Sequence, residues 1–208
     1  ANWVVYSLTN KPKAPRSVDS PGFPADPTDP NNWAEFDAAV ECVDLEPVVD
    51  GIGFALRQAD SIVCFDFDHC LKDGQIVDER VARAVQLLDS YTEISPSGDG
   101  LHVWCNASDV GRLHINKGWF EIYNDEKYVT VTGNVFGEPK DITPDFRKVV
   151  RGVIADLLKA DTSGSPDEPA NTDQKVHHAP VDFDFGASGQ LVRIDGDELF
   201  NGDATLCR

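Results

Sequence analysis

The sequence predicts an α+β domain on three observations. Short apolar runs rich in β-branched and aromatic residues read as strands, longer segments with helical apolar spacing read as helices, and Pro/Gly/Asp-rich stretches divide them. A chain of 208 residues with 41% hydrophobic residues can bury one good core and a small appendage. The first strand is expected over about residues 2 to 8, followed by a Pro/Asp/Ser-rich loop to about residue 31. Asn32 then caps a helix carrying Phe36, Ala39 and Val40. Strands follow near 51 to 57 and 61 to 67, and Asp78 opens a helix with Val81, Ala84, Val85 and Leu88 on one face. Tyr91 to Ile94 and Leu101 to Trp104 read as two strands joined by a Ser/Gly loop. Trp119 to Tyr123 and Lys127 to Asn134 read as a hairpin about a short Asn/Asp turn. Thr143-Pro144 supplies an N-cap and first-turn proline for a helix carrying Phe146, Val149, Val150, Val153, Ile154, Leu157 and Leu158.

Chemistry concentrates at three places. The run Ser61-Ile62-Val63-Cys64 ends in Phe65-Asp66-Phe67-Asp68, and strand alternation would put Asp66 and Asp68 on one face. Two aligned carboxylates repel unless a cation lies between them, and a hard divalent ion such as Mg²⁺ or Mn²⁺ answers that need. In Ser95-Pro96-Ser97-Gly98-Asp99-Gly100-Leu101-His102, glycines let the backbone approach a ligand and turn N–H groups toward phosphate oxygens, with hydroxyl and imidazole donors beside them. Glu121, between Phe120 and Ile122, either faces solvent or supplies a third metal ligand; Lys127, Thr130 and Thr132 suit phosphate contacts or an exposed strand face.

Three motifs in this order resemble the catalytic core of the archaeo-eukaryotic primase superfamily, in particular the primase-polymerase domains of viruses, plasmids and integrated elements. The resemblance spans roughly residues 1 to 160, and also takes in Trp3-Val4-Val5-Tyr6, Lys11 to Pro15, Asp29 to Trp33 and Tyr128 to Asn134. It implies an RRM-like antiparallel sheet with packed helices. By the same resemblance Asp66, Asp68 and Glu121 are the catalytic carboxylates holding two metals (Mg²⁺ or Mn²⁺), while Ser97, Gly98, Gly100, His102 and Lys127 bind the nucleotide. The implied reaction transfers nucleotides from NTPs or dNTPs onto a primer end or initiating nucleotide on a single-stranded DNA template. Two departures stand out: Lys127 occupies a position expected to be Arg, which gives up a bidentate fork, and His69 follows the D-x-D where another acid is frequent.

A net charge of −18 is unusual for a nucleic-acid enzyme. An Asp-rich, Lys-poor chain without methionine is a composition associated with halophiles, and in concentrated salt the gain from neutralising phosphates largely disappears. The other reading is an ordinary acidic protein whose tail inflates the charge. No run approaches the roughly 20 apolar residues of a membrane span and no leader precedes Asn2, so a soluble intracellular protein without membrane partners is expected. Five cysteines without a C-x-x-C pair argue against a disulfide framework or zinc ribbon, leaving His69, Cys70, His102 and Cys105 as a weak zinc alternative. Residues 161–208 open on Asp-Thr-Ser-Gly-Ser-Pro-Asp-Glu-Pro and read as an acidic linker and tail: a docking segment for a replicative helicase or further domain, or the start of a larger protein. Val181 to Phe185 and Leu191 to Ile194 alternate enough for short strands. The rival functions are a replication-associated binding module without catalysis and a metal nuclease; a D-(E/D)-x-K constellation for the latter is lacking near Asp66. A serine hydrolase at Ser97 lacks G-x-S-x-G.

Overall fold

The computed structural model describes residues 2–9, 13–143 and 145–163. In chain order the elements are β1 (Trp3–Tyr6), β2 (Pro15–Arg16), α1 (Phe36–Leu45), β3 (Gly51–Leu56), β4 (Ile62–Phe67), β5 (Leu71–Lys72), β6 (Gln75–Ile76), α2 (Glu79–Leu88), β7 (Thr92–Ile94), β8 (Leu101–Asn106), β9 (His114–Asn116), β10 (Phe120–Tyr123), β11 (Lys127–Val131) and α3 (Arg147–Ser163). Among the described residues these make two main antiparallel sheets, one two-stranded ribbon and three α-helices, an α+β architecture consistent with the primase-type fold. One sheet has the order β11-β3-β1-β2, the other β7-β8-β4-β10-β9, and β5 and β6 form a small ribbon.

The five-stranded sheet is legible in its sequence alternation. Val63, Phe65 and Phe67 of β4, Leu101, Val103 and Cys105 of β8, and Phe120 and Ile122 of β10 share one core with Val81, Ala84 and Leu88 of α2 and Val150, Val153 and Leu157 of α3. The intervening residues Ile62, Cys64, Trp104 and Tyr123 belong to a second core with Trp3, Val5, Phe54 and Val129 of the other sheet and Ala39 and Cys42 of α1. Asp66, His102 and Glu121 continue that second face by the period of two.

Several local expectations give way. β10 and β11 are not a hairpin: β10 pairs with β4 and β9, whereas β11 pairs with β3 in the other sheet. Asn124 makes the crossing possible. Its side chain accepts from the Leu113 N–H at 2.7 Å and donates to the Gly111 carbonyl at 2.7 Å, replacing a hairpin partner with an adjoining loop. Asn32 closes a 3₁₀ turn capped by Asp29, and α1 begins only at Phe36 with Glu35 as its N-cap. Thr143 does not cap α3, which starts at Arg147; its hydroxyl instead donates to the Asp89 carbonyl at 2.8 Å. Pro144 lies outside the described residues, as do the tail strands expected near Val181 and Leu191. The Asp78 cap holds, its carboxylate accepting from the Arg80 N–H at 2.8 Å. The β7–β8 pair and its intervening Ser/Gly loop also form as expected.

Candidate active site

Strand register lines up one polar row across the whole five-stranded sheet. Glu93 on β7 stands opposite His102 on β8, His102 opposite Asp66 on β4, Asp66 opposite Glu121 on β10, and Glu121 opposite Asn116 on β9. Directly opposed residues share a face and bring their Cβ atoms to about 4.5–5.5 Å, so three residues spread over more than fifty positions become neighbours. His102 Nε2 lies 3.6 Å from Asp66 Oδ1 and its Nδ1 lies 3.2 Å from Glu93 Oε1. Glu121 accepts from the Asn116 side-chain amide and stands 3.8 Å from Lys127 Nζ, which also lies 4.6 Å from the Tyr123 ring centroid.

Asp66, His102, Glu121, Lys127 and Lys13 line a cleft of about 210 Å³, together with Thr130. The Asp66 carboxyl is pushed above its ordinary range by burial first; His102 and Lys13 oppose that shift, and the charges of Asp68 and Glu121 reinforce it. The His102 ring is almost fully buried. Burial works against its charged form, but the Glu93 hydrogen bond and the charges of Asp66 and Glu93 outweigh it and raise its pKa.

Asp68 falls one residue past the end of β4, in an exposed turn where its N–H donates to the Trp119 carbonyl at 3.1 Å. It is close enough for its charge to act on Asp66, but it does not line the cleft. Ser97, Gly98 and Gly100 occupy the β7–β8 loop, likewise off the cleft lining. A hydrogen-bonded chain holds that loop: Ser95 Oγ and Ser97 Oγ are 2.9 Å apart, Ser97 donates to Asp99 at 2.5 Å, and the other Asp99 oxygen meets His69 Nδ1 at 2.6 Å. These bonds lower the Asp99 pKa, Ser97 contributing most and His69 next, and the Asp99 carboxylate raises that of His69. Gly98 has φ +84°, and a Cβ on Gly100 would come within 2.8 Å of the Phe67 carbonyl. Glycine at 100 therefore lets the loop lie directly against the end of β4.

Among the described residues, no three or more His, Cys, Asp or Glu side chains converge as a self-sufficient metal cage. The zinc alternative fails on alternation as well. Cys70 and Cys105 are buried in the helix-side core while His102 faces the opposite way. Burial pushes both thiols up to about 12, away from the thiolate a metal needs.

Sequence reading gives no role in the site to Glu93, Asn116 or Lys13, the last noted only within the Lys11 to Pro15 stretch of the resemblance. Glu93 and Asn116 carry no motif and are found only through register. Lys13 sits in the β1–β2 connection, where its carbonyl accepts from the Tyr128 hydroxyl and its N–H donates to the Ser7 carbonyl at 2.7 Å.

No family model matches the chain. It is similar to the DNA primase-polymerase of Nitratiruptor phage NrS-1, with 35% identity over 148 residues, covering 68% of this chain and 20% of that protein. The chain carries a domain of the primase-polymerase type. This primase-polymerase domain spans about a fifth of the length of the phage relative. Among its described residues no helix is long and apolar enough to cross a membrane.

Proposed function

We propose that this domain performs nucleotidyl transfer from a nucleoside triphosphate to a primer 3′-hydroxyl, or to an initiating nucleotide, on a single-stranded DNA template. The observation that carries this reading is the side-by-side placement of Asp66, Glu121 and His102 on three adjacent strands facing one cleft, with Lys127 and Lys13 across from them. At about 210 Å³ the cleft is smaller than the roughly 300–1,000 Å³ typical of sites enclosing a whole small molecule. It suits the triphosphate end of a nucleotide, leaving the base outside to pair with a template.

The donor set fits a divalent cation. Asp66 and Glu121 offer hard carboxylate oxygens, and Asp68 adds negative charge within electrostatic reach. Because these groups do not close a cage by themselves, Mg²⁺ or Mn²⁺ there would take further oxygens from phosphate and water, as Mg²⁺ commonly does. Asp66, Asp68 and Glu121 are the residues that would hold it. When bound, such ions lower the pKa of an attacking hydroxyl and neutralise charge on the leaving pyrophosphate. His102, with its raised pKa, presents Nε2 to the cleft beside Asp66, where a protonated ring can donate to a phosphate oxygen. Lys127 and Lys13 supply point charges for the same phosphates. The Ser97–Asp99–His69 chain, with the Gly98 N–H donating to the Ser95 carbonyl at 2.9 Å, holds the β7–β8 loop at the end of β4 and so gives it a defined place beside the nucleotide.

The test is primer synthesis and extension on single-stranded DNA with NTPs and dNTPs in separate reactions. Template-dependent products that disappear with Asp66→Ala support the reading. No product from either nucleotide set, in Mg²⁺ or Mn²⁺, favours a domain that binds nucleic acid without catalysis.

A further inference from the structure

Glu93 has no part in the chemistry above and is the most fully enclosed charged side chain in the row, at 0% exposure. A carboxylate so placed is costly unless its lone pairs are satisfied. Here four donors and a ring nitrogen of His102 converge on it. Oε2 accepts from the Tyr91 hydroxyl at 2.9 Å, the Thr132 N–H at 3.0 Å and the Gly133 N–H at 2.9 Å. Oε1 faces His102 Nδ1 at 3.2 Å and accepts from the Trp104 Nε1–H at 3.3 Å. An ionised carboxylate has about four lone-pair sites and accepts only, so this environment is built for the anion.

The two backbone donors locate the joint. Thr132 and Gly133 form the turn by which the chain leaves β11 in the four-stranded sheet and passes to the β7 edge of the five-stranded one, where the Ile94 N–H donates to the Asn134 carbonyl at 2.7 Å and Glu93 bridges to Val135. One oxygen of Glu93 thus holds the crossing turn, and the other holds the ring that faces the cleft. We propose that Glu93 is a positioning residue for nucleotide binding: it fixes His102 Nδ1 as a donor, aims Nε2 at the cleft, and ties that ring to the strand bearing Lys127. The inference rests on the nucleotidyl-transfer reading for its ligand.

Glu93→Gln separates position from bulk. Its carbonyl oxygen can keep accepting from the Thr132 and Gly133 amides, but its NH₂ group then faces His102 and Trp104, two groups that both needed an acceptor. Two measurements on the full chain decide the matter. In ¹⁵N spectra of histidine-labelled protein, with the His102 signals assigned by their loss in His102→Gln, Nδ1 of the unaltered protein should carry a proton and Nδ1 of Glu93→Gln should not. This first result needs no variant at Glu93, and an unprotonated Nδ1 in the unaltered protein overturns the proposal. In nucleotide titrations with Mg²⁺, Glu93→Gln should weaken binding of the triphosphate about ten- to a hundredfold, the scale of one hydrogen bond to a charged group, with single-strand affinity unchanged. Equal losses for nucleotide and template would reduce Glu93 to a fold determinant and overturn it. If the unaltered protein binds no nucleotide, the nucleotidyl-transfer reading falls and takes this role with it. Nucleotide binding that ignores Glu93→Gln removes the positioning role alone.

Discussion

At the cleft end of the five-stranded sheet, the two faces of its three central strands differ sharply. Toward α2 and α3, β4, β8 and β10 present Val63, Phe65, Phe67, Leu101, Val103, Phe120 and Ile122, all buried in one apolar core. One residue over, the same strands present Asp66, His102 and Glu121 around a cleft. The first face gains free energy by removing apolar area from water, roughly 25 cal/mol per Å². The second spends some of it. Burial and like charge raise the Asp66 carboxyl, so the ionised group is held at a cost to the fold. At the cleft end, beyond the second core of Cys64, Trp104 and Tyr123, apolar packing and chemistry thus lie on opposite sides of the same strands, and substitutions there should separate them.

The largest expected effect is at Asp66. Asp66→Asn should lower nucleotide incorporation by more than about a hundredfold, the scale for losing one preorganised electrostatic group. It should also hold or raise the melting temperature of the metal-free protein. Because the folded-state pKa of Asp66 is raised, the native protein binds that proton more tightly than the unfolded chain does. Its stability contribution is therefore lost as pH rises from the unfolded value near 3.9 through the higher folded value. Incorporation at the unaltered rate, measured in Mg²⁺, would break the contrast between the faces.

Phe65→Ala tests the opposite side. Fully buried beside Phe67, it should cost about 3–5 kcal/mol in denaturant unfolding while the surviving folded fraction keeps its specific activity. A variant that folds normally but loses activity would show that the apolar face also sets cleft geometry.

His102→Ala should weaken nucleotide binding about ten- to a hundredfold and leave single-strand binding nearly intact. Side-by-side titrations of nucleotide and oligonucleotide check it; no change in nucleotide affinity would make His102 a structural residue. The smallest effect belongs to the exposed loop chain. His69 titrates above its ordinary value because of Asp99, so Asp99→Asn should lower its pKa toward that of a free histidine in an NMR titration. A raised histidine pKa stabilises below the unfolded value and stops doing so as pH rises through the folded one. An unchanged His69 titration would mean that the chain does not hold the loop in solution.

Much of this was readable beforehand. Alternation in Ile62–Phe67 and Leu101–Trp104 names the inward and cleft-facing residues, and the cap at Asp78 and the spacing of Val81, Ala84 and Leu88 define α2 without tertiary knowledge. These are signals of local period and local hydrogen bonding, which a chain carries in its own order of residues. The hairpin expected at Asn124 and the cap expected at Thr143 misled because both side chains found distant partners, in the 111–113 loop and at Asp89. The α+β class and the strand faces of β4 and β8 were thus determined by the sequence itself, which also nominates Asp66, His102 and Glu121 as candidates, Glu121 by the resemblance alone. That Glu93, His102, Asp66, Glu121 and Asn116 form one row was decided only by strand register, which depends on hydrogen bonds between segments far apart in the chain. Which sheet received β11, and so which side of the cleft received Lys127, was likewise settled by pairing with β3 rather than by anything in the residues of β11 alone.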